Sequence, residues 1–298
     1  MDFPGSFKDH ILPDKIHILN ISFTINTLKE SFGGTAGNIA YNLSLLGERP
    51  KILSLAGDDF GLYAKWLKKK KIDISLVKKY KDFKTASAYI ITDKDDNQIA
   101  GFYPGPKDDQ YTKIANKQKN ISFAIIAPDN KERMLSYAQV YKANKTKYIF
   151  DPGQATPAFS KSELLQTING AEVLIGNDYE IQLILDKLKI TMDKLNKLAK
   201  MVITTKGDKG SEISFENKII KINPVKPTKT LDPTGAGDAY RAGLIKGLIA
   251  GLNLEQVGQL ASTVAVYAVE QYGTQNHRFS LKDIRERYRE NYGEQLSF

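Results

Sequence analysis

The sequence predicts an α/β protein built on a mainly parallel central sheet. Three observations carry that expectation. Between residues 121 and 272, short apolar runs of strand length alternate with helical patterns, the rhythm of βα units. Polar, glycine-bearing segments fall at the ends of those runs, where open α/β sheets bind their ligands. One glycine-rich turn, at residues 231–240, leads directly into an apolar helix.

The chain has 298 residues, room for one large α/β domain or two modest ones. At 41% hydrophobic and 26% charged, it can fill a sizeable core and keep an ordinary polar surface. It contains no cysteine, which removes disulfides, thiolate chemistry and cysteine-based metal sites. The opening residues Met1, Asp2, Phe3, Pro4 and Gly5 do not form a leader, and no run approaches a membrane span. The expectation is a cytoplasmic protein with no membrane partner. The formal charge is +9, with lysines at 68–71, 78, 79 and 81. These could contact nucleic acid, but they follow an amphipathic segment without interleaved aromatics, which favours a solvated helix end. A positive field also draws small polyanions towards a cleft.

Taken in order, residues 8–27 read as extended segments, with Ile16 and Ile18 on one face and His17, Leu19, Ile21 and Phe23 on the other. No buried strand precedes Pro4, although a domain of this class normally opens with one. The paired glycines Gly33 and Gly34 allow close backbone approach to a ligand, and a helix over 37–46 presents Asn38 from its first turn. An amide offers both donor and acceptor to a polyol, though a plain loop and cap fits equally. A strand over 50–56 and a helix over 59–70 follow, joined through 57–61; Trp66 sits on the helix's apolar side and reads as packing. Strands over 85–92 and 98–103 flank a polar turn at 93–97, and Pro104, Gly105 and Pro106 end the pattern. Then come strands over 121–127, 148–150, 172–175 and 201–205, with a helix over 131–143 and a long one over 255–272. Their ends carry Asp151 to Gln154, Asn177 with Glu180, and a turn at 206–210 that leads back into a strand over 211–215. Asn177 and Glu180 have capping-box spacing. His10, His17 and His277 are too scattered to propose as metal ligands.

In the glycine turn, Ala236, Ala239, Tyr240, Leu244, Ile245, Leu248 and Ile249 recur at helical spacing, and Gly251 offers a stop. Glycines at a helix start leave the first N–H groups uncovered, so Gly235, Ala236 and Gly237 can close around an anion. Asp238 beside such a site could accept the proton of a hydroxyl that attacks a phosphoryl group. The plainer alternative is a turn capped by Thr234, with Asp238 favoured by the helix dipole. No Gly-Lys-Ser/Thr follows, so this is not a Walker P-loop.

The full string from Leu231 to Tyr240 resembles the second signature of the ribokinase-like (PfkB) carbohydrate and nucleoside kinases, and Gly33-Gly34 with Asn38 resembles the first. The resemblance covers nearly the whole chain. It implies a three-layer α/β/α fold with a small β-lid, the lid formed by 10–27 and 85–105, the large unit by 1–9, 28–84 and 106–298. It implies Asp238 as catalytic base, Gly235 to Gly237 as anion hole, and Gly33, Gly34, Asn38, Gln98 and Gln154 as substrate contacts. It further implies ATP and Mg²⁺, with Asn177, Glu180, Thr205, Gly207, Gly210, Thr234 and Gln275 on the nucleotide side and Glu180 reaching the metal through water. A monovalent cation near 273–276 is part of the same likeness. The family's opening strand and its sugar-gripping aspartate have no counterpart here, so an upstream strand is expected. Three features lean towards a nucleoside acceptor: Tyr240-Arg241 after Asp238-Ala239, the stretches 151–154 and 160–163, and the lid sequence 92–99. A ribokinase- or fructokinase-like sugar kinase is the alternative. A catalytically silent sensor on the same fold is the alternative outside enzymes. Lid edges could pair two copies into a homodimer, and no nucleic-acid partner is expected.

Overall fold

The computed structural model describes every residue except Asp96 and Asn217; Asp96, within the expected 93–97 turn, thus lies outside the described residues. In chain order the strands are β1 (Lys51–Ala56), β2 (Asp73–Lys79), β3 (Ser87–Thr92), β4 (Gln98–Tyr103), β5 (Ala124–Ile126), β6 (Tyr148–Phe150), β7 (Val173–Asn177), β8 (Met201–Thr205), β9 (Ser211–Phe215) and β10 (Lys218–Ile222). The helices are α1 (Thr35–Leu45), α2 (Gly61–Lys69), α3 (Lys131–Ala143), α4 (Lys161–Ile168), α5 (Asp178–Leu188), α6 (Met192–Leu195), α7 (Ala236–Ile249), α8 (Leu254–Val269) and α9 (Leu281–Tyr292).

The main sheet runs β10-β9-β8-β7-β6-β5. Strands β5 to β8 are parallel, and β9 and β10 turn back as antiparallel neighbours. Successive strand residues serve opposite faces. Ile149, Val173, Ile175 and Ile203 pack with α1, α7, α8 and α9, while Tyr148, Phe150, Leu174 and Val202 pack with α3, α4 and α5. Both faces are therefore apolar and covered by helices, which gives three layers. A smaller cluster, including Tyr41, Ile52 and Leu67, ties α1 and α2 to the parallel pair β1–β2. Among the described residues no strand joins β1 to β5, and Leu53 and Ile125 line the same cleft.

The antiparallel hairpin β3–β4 forms as expected, with Thr92 opposite Gln98. Two expectations about its surroundings are corrected. Residues 1–9 attach to the hairpin and not to the large unit: Phe3 N–H donates to Thr92 O at 2.8 Å and Thr92 N–H to Met1 O at 2.9 Å. Phe3, Phe7 and Phe23 cluster there with centroids 4.8–5.7 Å apart. Residues 10–27 do not form strands. Pro13 starts a 3-10 turn over Pro13–Ile18, where it supplies no ladder N–H, and Ile16 and Ile18 stay exposed because no element covers either face. The strand expected over 121–127 is confined to Ala124–Ile126.

Candidate active site at the start of α7

Gly235 occupies the N-cap of α7 with φ of 83°, a left-handed conformation that favours glycine. Thr234, the expected cap, is exposed, and no side chain caps this helix. The turn is instead fixed by Asp232, which accepts the Thr234 N–H on Oδ1 and the Gly273 N–H on Oδ2, each at 2.9 Å. An uncapped helix start leaves backbone donors for an anion, but Ala236, expected in the anion hole, donates its N–H to Pro233 O at 3.2 Å.

Asp238 stands one residue beyond Gly237, in the first turn of α7. Asn38 Nδ2 donates to its Oδ2 at 2.8 Å. Burial pushes the Asp238 carboxyl up to about 6, against the Asn38 hydrogen bond and the Arg241 charge, which pull it down. Arg241 in turn grips Asp151, Nε to Oδ2 at 2.5 Å and Nη2 to Oδ1 at 2.9 Å. That pair is buried, and the carboxylates of Asp151, Asp238 and Glu180 raise the Arg241 guanidinium against the opposing effect of burial. Tyr240 faces the core, its hydroxyl 2.8 Å from Ser211 Oγ. Tyr240 and Arg241, expected to speak for the acceptor, are thus engaged by the protein itself.

Asn38 is 4% exposed and Gln275 3% exposed. Gln275 was expected on the nucleotide; here its amide bonds Asn38, Tyr63 and Trp66 beneath the 31–34 loop. Trp66 is packed, as expected, but its indole also donates to Gln275 Oε1. Tyr63 donates to Gly33 O at 2.8 Å, and a Cβ on Gly37 would come within 1.9 Å of the Tyr63 hydroxyl. Only glycine fits there. Asp151 and Asp232 lie in stretches the sequence marked, but nothing there showed that Asp151 grips Arg241, that Asp232 reaches Gly273 or that Tyr63 enters the site, because those partners are distant in the chain.

Asn177 and Glu180 form the capping box, with both hydrogen bonds at 2.8 Å. The second Glu180 oxygen, Oε1, lies 3.6 Å from where a side chain on Gly153 would begin, beside Asp151. Thr205 ends β8, and Gly207 and Gly210 take positive φ in the turn that follows. Gly33, Gly34, Gln98, Gln154 and Thr234 line one cleft of about 3150 Å³ between hairpin and body. That volume exceeds the roughly 300–1,000 Å³ of one small-molecule pocket, so it spans more than one ligand's site. The Gly235–Asp238 stretch is not part of its wall; Asn38 connects Asp238 to the 33–34 loop. Lys70 lies over the Tyr41 and Trp66 rings at 5.2 and 4.6 Å, so the lysine run is partly a packed helix end. No helix among the described residues is long and apolar enough to cross a membrane.

Residues 8–279 match the family model described as pfkB family carbohydrate kinase. Similar curated proteins include nucleoside kinases of Methanocaldococcus jannaschii and Methanothermobacter thermautotrophicus. Both are 35% identical, over 260 and 267 residues, covering 87% of this chain and 85% and 84% of theirs. A solved structure of the Burkholderia thailandensis nucleoside kinase with inosine superposes with a TM-score of 0.89. It is 32% identical and covers 99% of this chain and 95% of its own.

Proposed function

Because this chain belongs to the pfkB family of carbohydrate kinases and has the ribokinase-like fold, we propose that it transfers the γ-phosphoryl group of ATP to the primary alcohol of a purine nucleoside, with Asp238 as general base. The observation that carries the reading is Asp238 itself: a half-buried carboxylate in the first turn of α7, poised near 6 and held by Asn38. Such a group is ionised at neutral pH yet basic enough to receive a hydroxyl proton. In this reading the substrate hydroxyl donates its proton to Asp238 as its oxygen attacks the γ-phosphorus. The bond from that phosphorus to the bridging oxygen breaks, and ADP leaves with the electron pair. Backbone N–H groups of Gly235 and Gly237 would meet the charge that builds on the phosphoryl oxygens.

The nucleoside preference draws support from the relatives' names and from the hairpin. Ala88, Ile90 and Phe102 share one face of β3–β4 with Thr92 and Gln98, and all line the cleft. An apolar face with an aromatic suits a flat base, while Gln98 and Gln154 suit its polar edge and the ribose. Mg²⁺ supplies charge neutralisation on the phosphates. Among the described residues no three acidic or histidine side chains gather to hold a metal, so it would reach the protein through Glu180, by water, as Mg²⁺ tolerates. Thr205, Gly207 and Gly210 complete the nucleotide side. A monovalent cation near 273–276, pairing of two copies along the hairpin edge, and a cytoplasmic location where ATP is abundant belong to the same proposal.

The test is ATP consumption across adenosine, inosine, guanosine, cytidine, ribose and fructose. A purine nucleoside is expected to give the highest kcat/KM. A free sugar that outperforms every nucleoside replaces this reading with a sugar kinase.

A further inference from the structure

A chain of hydrogen bonds runs from half-buried Trp66 through the buried amides of Gln275 and Asn38 to Asp238, and one end fixes its direction. An indole N–H can only donate. Trp66 Nε1 donates to Gln275 Oε1 at 2.9 Å, which turns the Gln275 amide nitrogen the other way. That nitrogen donates to Asn38 Oδ1 at 3.0 Å and to the Tyr63 hydroxyl at 2.6 Å. With its oxygen so engaged, Asn38 presents its nitrogen to Asp238 Oδ2 at 2.8 Å. Flipping either amide would set like poles together at two almost fully buried residues, an arrangement that leaves polar groups poorly paired.

We infer that Trp66 is a positioning residue for phosphoryl transfer, orienting Gln275 and Asn38 so that the base always meets a donor. The inference rests on the assignment of Asp238 as that base. Packing of Trp66 does not need the N–H. Its ring stacks near Tyr41 at 6.4 Å and Phe32 at 5.9 Å, and Lys70 sits over it. A donor on Oδ2 favours the carboxylate over the acid. Without the relay's direction, Asn38 is free to turn its oxygen to Asp238, and the base becomes harder to ionise.

The groups that face Asp238 from each packed element are few. Its own helix supplies Arg241, the end of β6 supplies Asp151, and α5 supplies Glu180 behind Arg241. From α2 comes Tyr63, whose hydroxyl burial pushes up to about 12. His277 reaches Asn38 only through Asn42, and burial pushes it down to about 4. Neither Tyr63 nor His277 therefore titrates in the window from 6 to 9 that reports on the base.

Trp66 is the only tryptophan, so growth of a tryptophan auxotroph on β-(3-benzothienyl)alanine replaces the N–H by sulfur at this position alone. The readout is kcat/KM for ATP-dependent nucleoside phosphorylation from pH 5 to 9, with Trp66→Phe as a second variant. The acidic midpoint is expected to rise by about half to one pH unit, the equivalent of one hydrogen bond. The rate should recover above pH 8, with KM for ATP unchanged. A uniform loss at every pH, or an unmoved profile in both variants, overturns the relay. Asp238→Asn, measured alongside, separates the two ideas. Near-normal kcat there removes the base assignment and the relay with it, whereas its loss beside an unmoved Trp66 profile removes the relay alone.

Discussion

Around Asp238, side chains are tied to one another across long stretches of chain, Asn38 from 200 residues away, and Asp151 to Arg241 from 90. Across the cleft, all six residues of β4 are exposed, and the N-terminal segment, joined to the hairpin by backbone hydrogen bonds, packs Phe3, Phe7 and Phe23 on one another. One side over-determines the position of a charge; the other presents surface with little burial behind it. Geometry for chemistry needs rotamers locked by neighbours, whereas a surface that closes over a ligand draws on weakly buried elements. The comparison gives two regions that should respond differently to substitution and to acid.

The largest contrast is expected at the base. Asp238→Asn should lower kcat by roughly a hundred-fold to ten-thousand-fold while leaving ATP affinity nearly unchanged. It should also stabilise the fold at pH 7, by on the order of 2–3 kcal/mol, because burial is what lifts this carboxyl to about 6 and an amide carries no charge to bury. Denaturant unfolding of the two proteins checks this. A destabilised variant would mean that the site is not strained by its own charge.

Next is the ion pair beneath the base. Arg241→Met leaves Asp151 buried without its bidentate partner and should cost about 3–5 kcal/mol of stability. An effect under about 1 kcal/mol would show that the body is no more tightly determined than the lid.

The same contrast explains what could be read in the sequence. The alternation of β6, β7 and β8, the start of α7 and the two strands of the hairpin were legible because each is a local pattern of period two or 3.6. β2 was not, since Lys78 and Lys79 at its end read as a charge patch, and β10 was hidden because Lys218 and Lys221 break any period-two alternation. The turn at Pro13–Ile18 imitated a strand because apolar alternation says nothing about whether a covering face exists. In the site, Gly235 to Asp238 stood out as a contiguous string. What Gln275, Tyr63 and Asp151 bond to could not be read, because a side chain's partner is a fact of tertiary structure.

On the hairpin the effect should appear in binding and not in stability. Phe102 is 66% exposed and lines the cleft. Phe102→Ala should raise KM for a purine nucleoside about tenfold, the worth of one aromatic contact, and change unfolding free energy by less than about 0.5 kcal/mol. Equal losses for ribose and for nucleosides would show that Phe102 does not meet the base.

The smallest effect in the native protein is the one acid should reveal. His277 is buried, and burial pushes it down to about 4 from its ordinary 6.5. As pH falls through that window the unfolded chain binds a proton the folded one refuses, so this group destabilises the fold in acid. Asp238 runs the other way. Its folded value near 6 lies above the ordinary 3.8, so between 6 and 3.8 the folded protein holds a proton the unfolded chain has lost, and stability rises as pH falls. The two slopes nearly offset, and the body should be flat from pH 6.5 to 4. Asp238→Asn removes one slope and uncovers the other, a fall on the order of 2–3 kcal/mol across the same range. The lid should wait. Asp93 accepts N–H groups from Phe7, Asp95 and Asn97, and these outweigh burial to hold it down to about 2. Its contribution is present above 3.8 and lost only as pH falls from there towards 2. Unfolding at pH 7, 5 and 4, with hydrogen exchange of the Phe7 and Asn97 amides, tests both halves. A pH profile of Asp238→Asn as flat as the native one, or lid amides that exchange freely before pH 4, would contradict this division of the molecule.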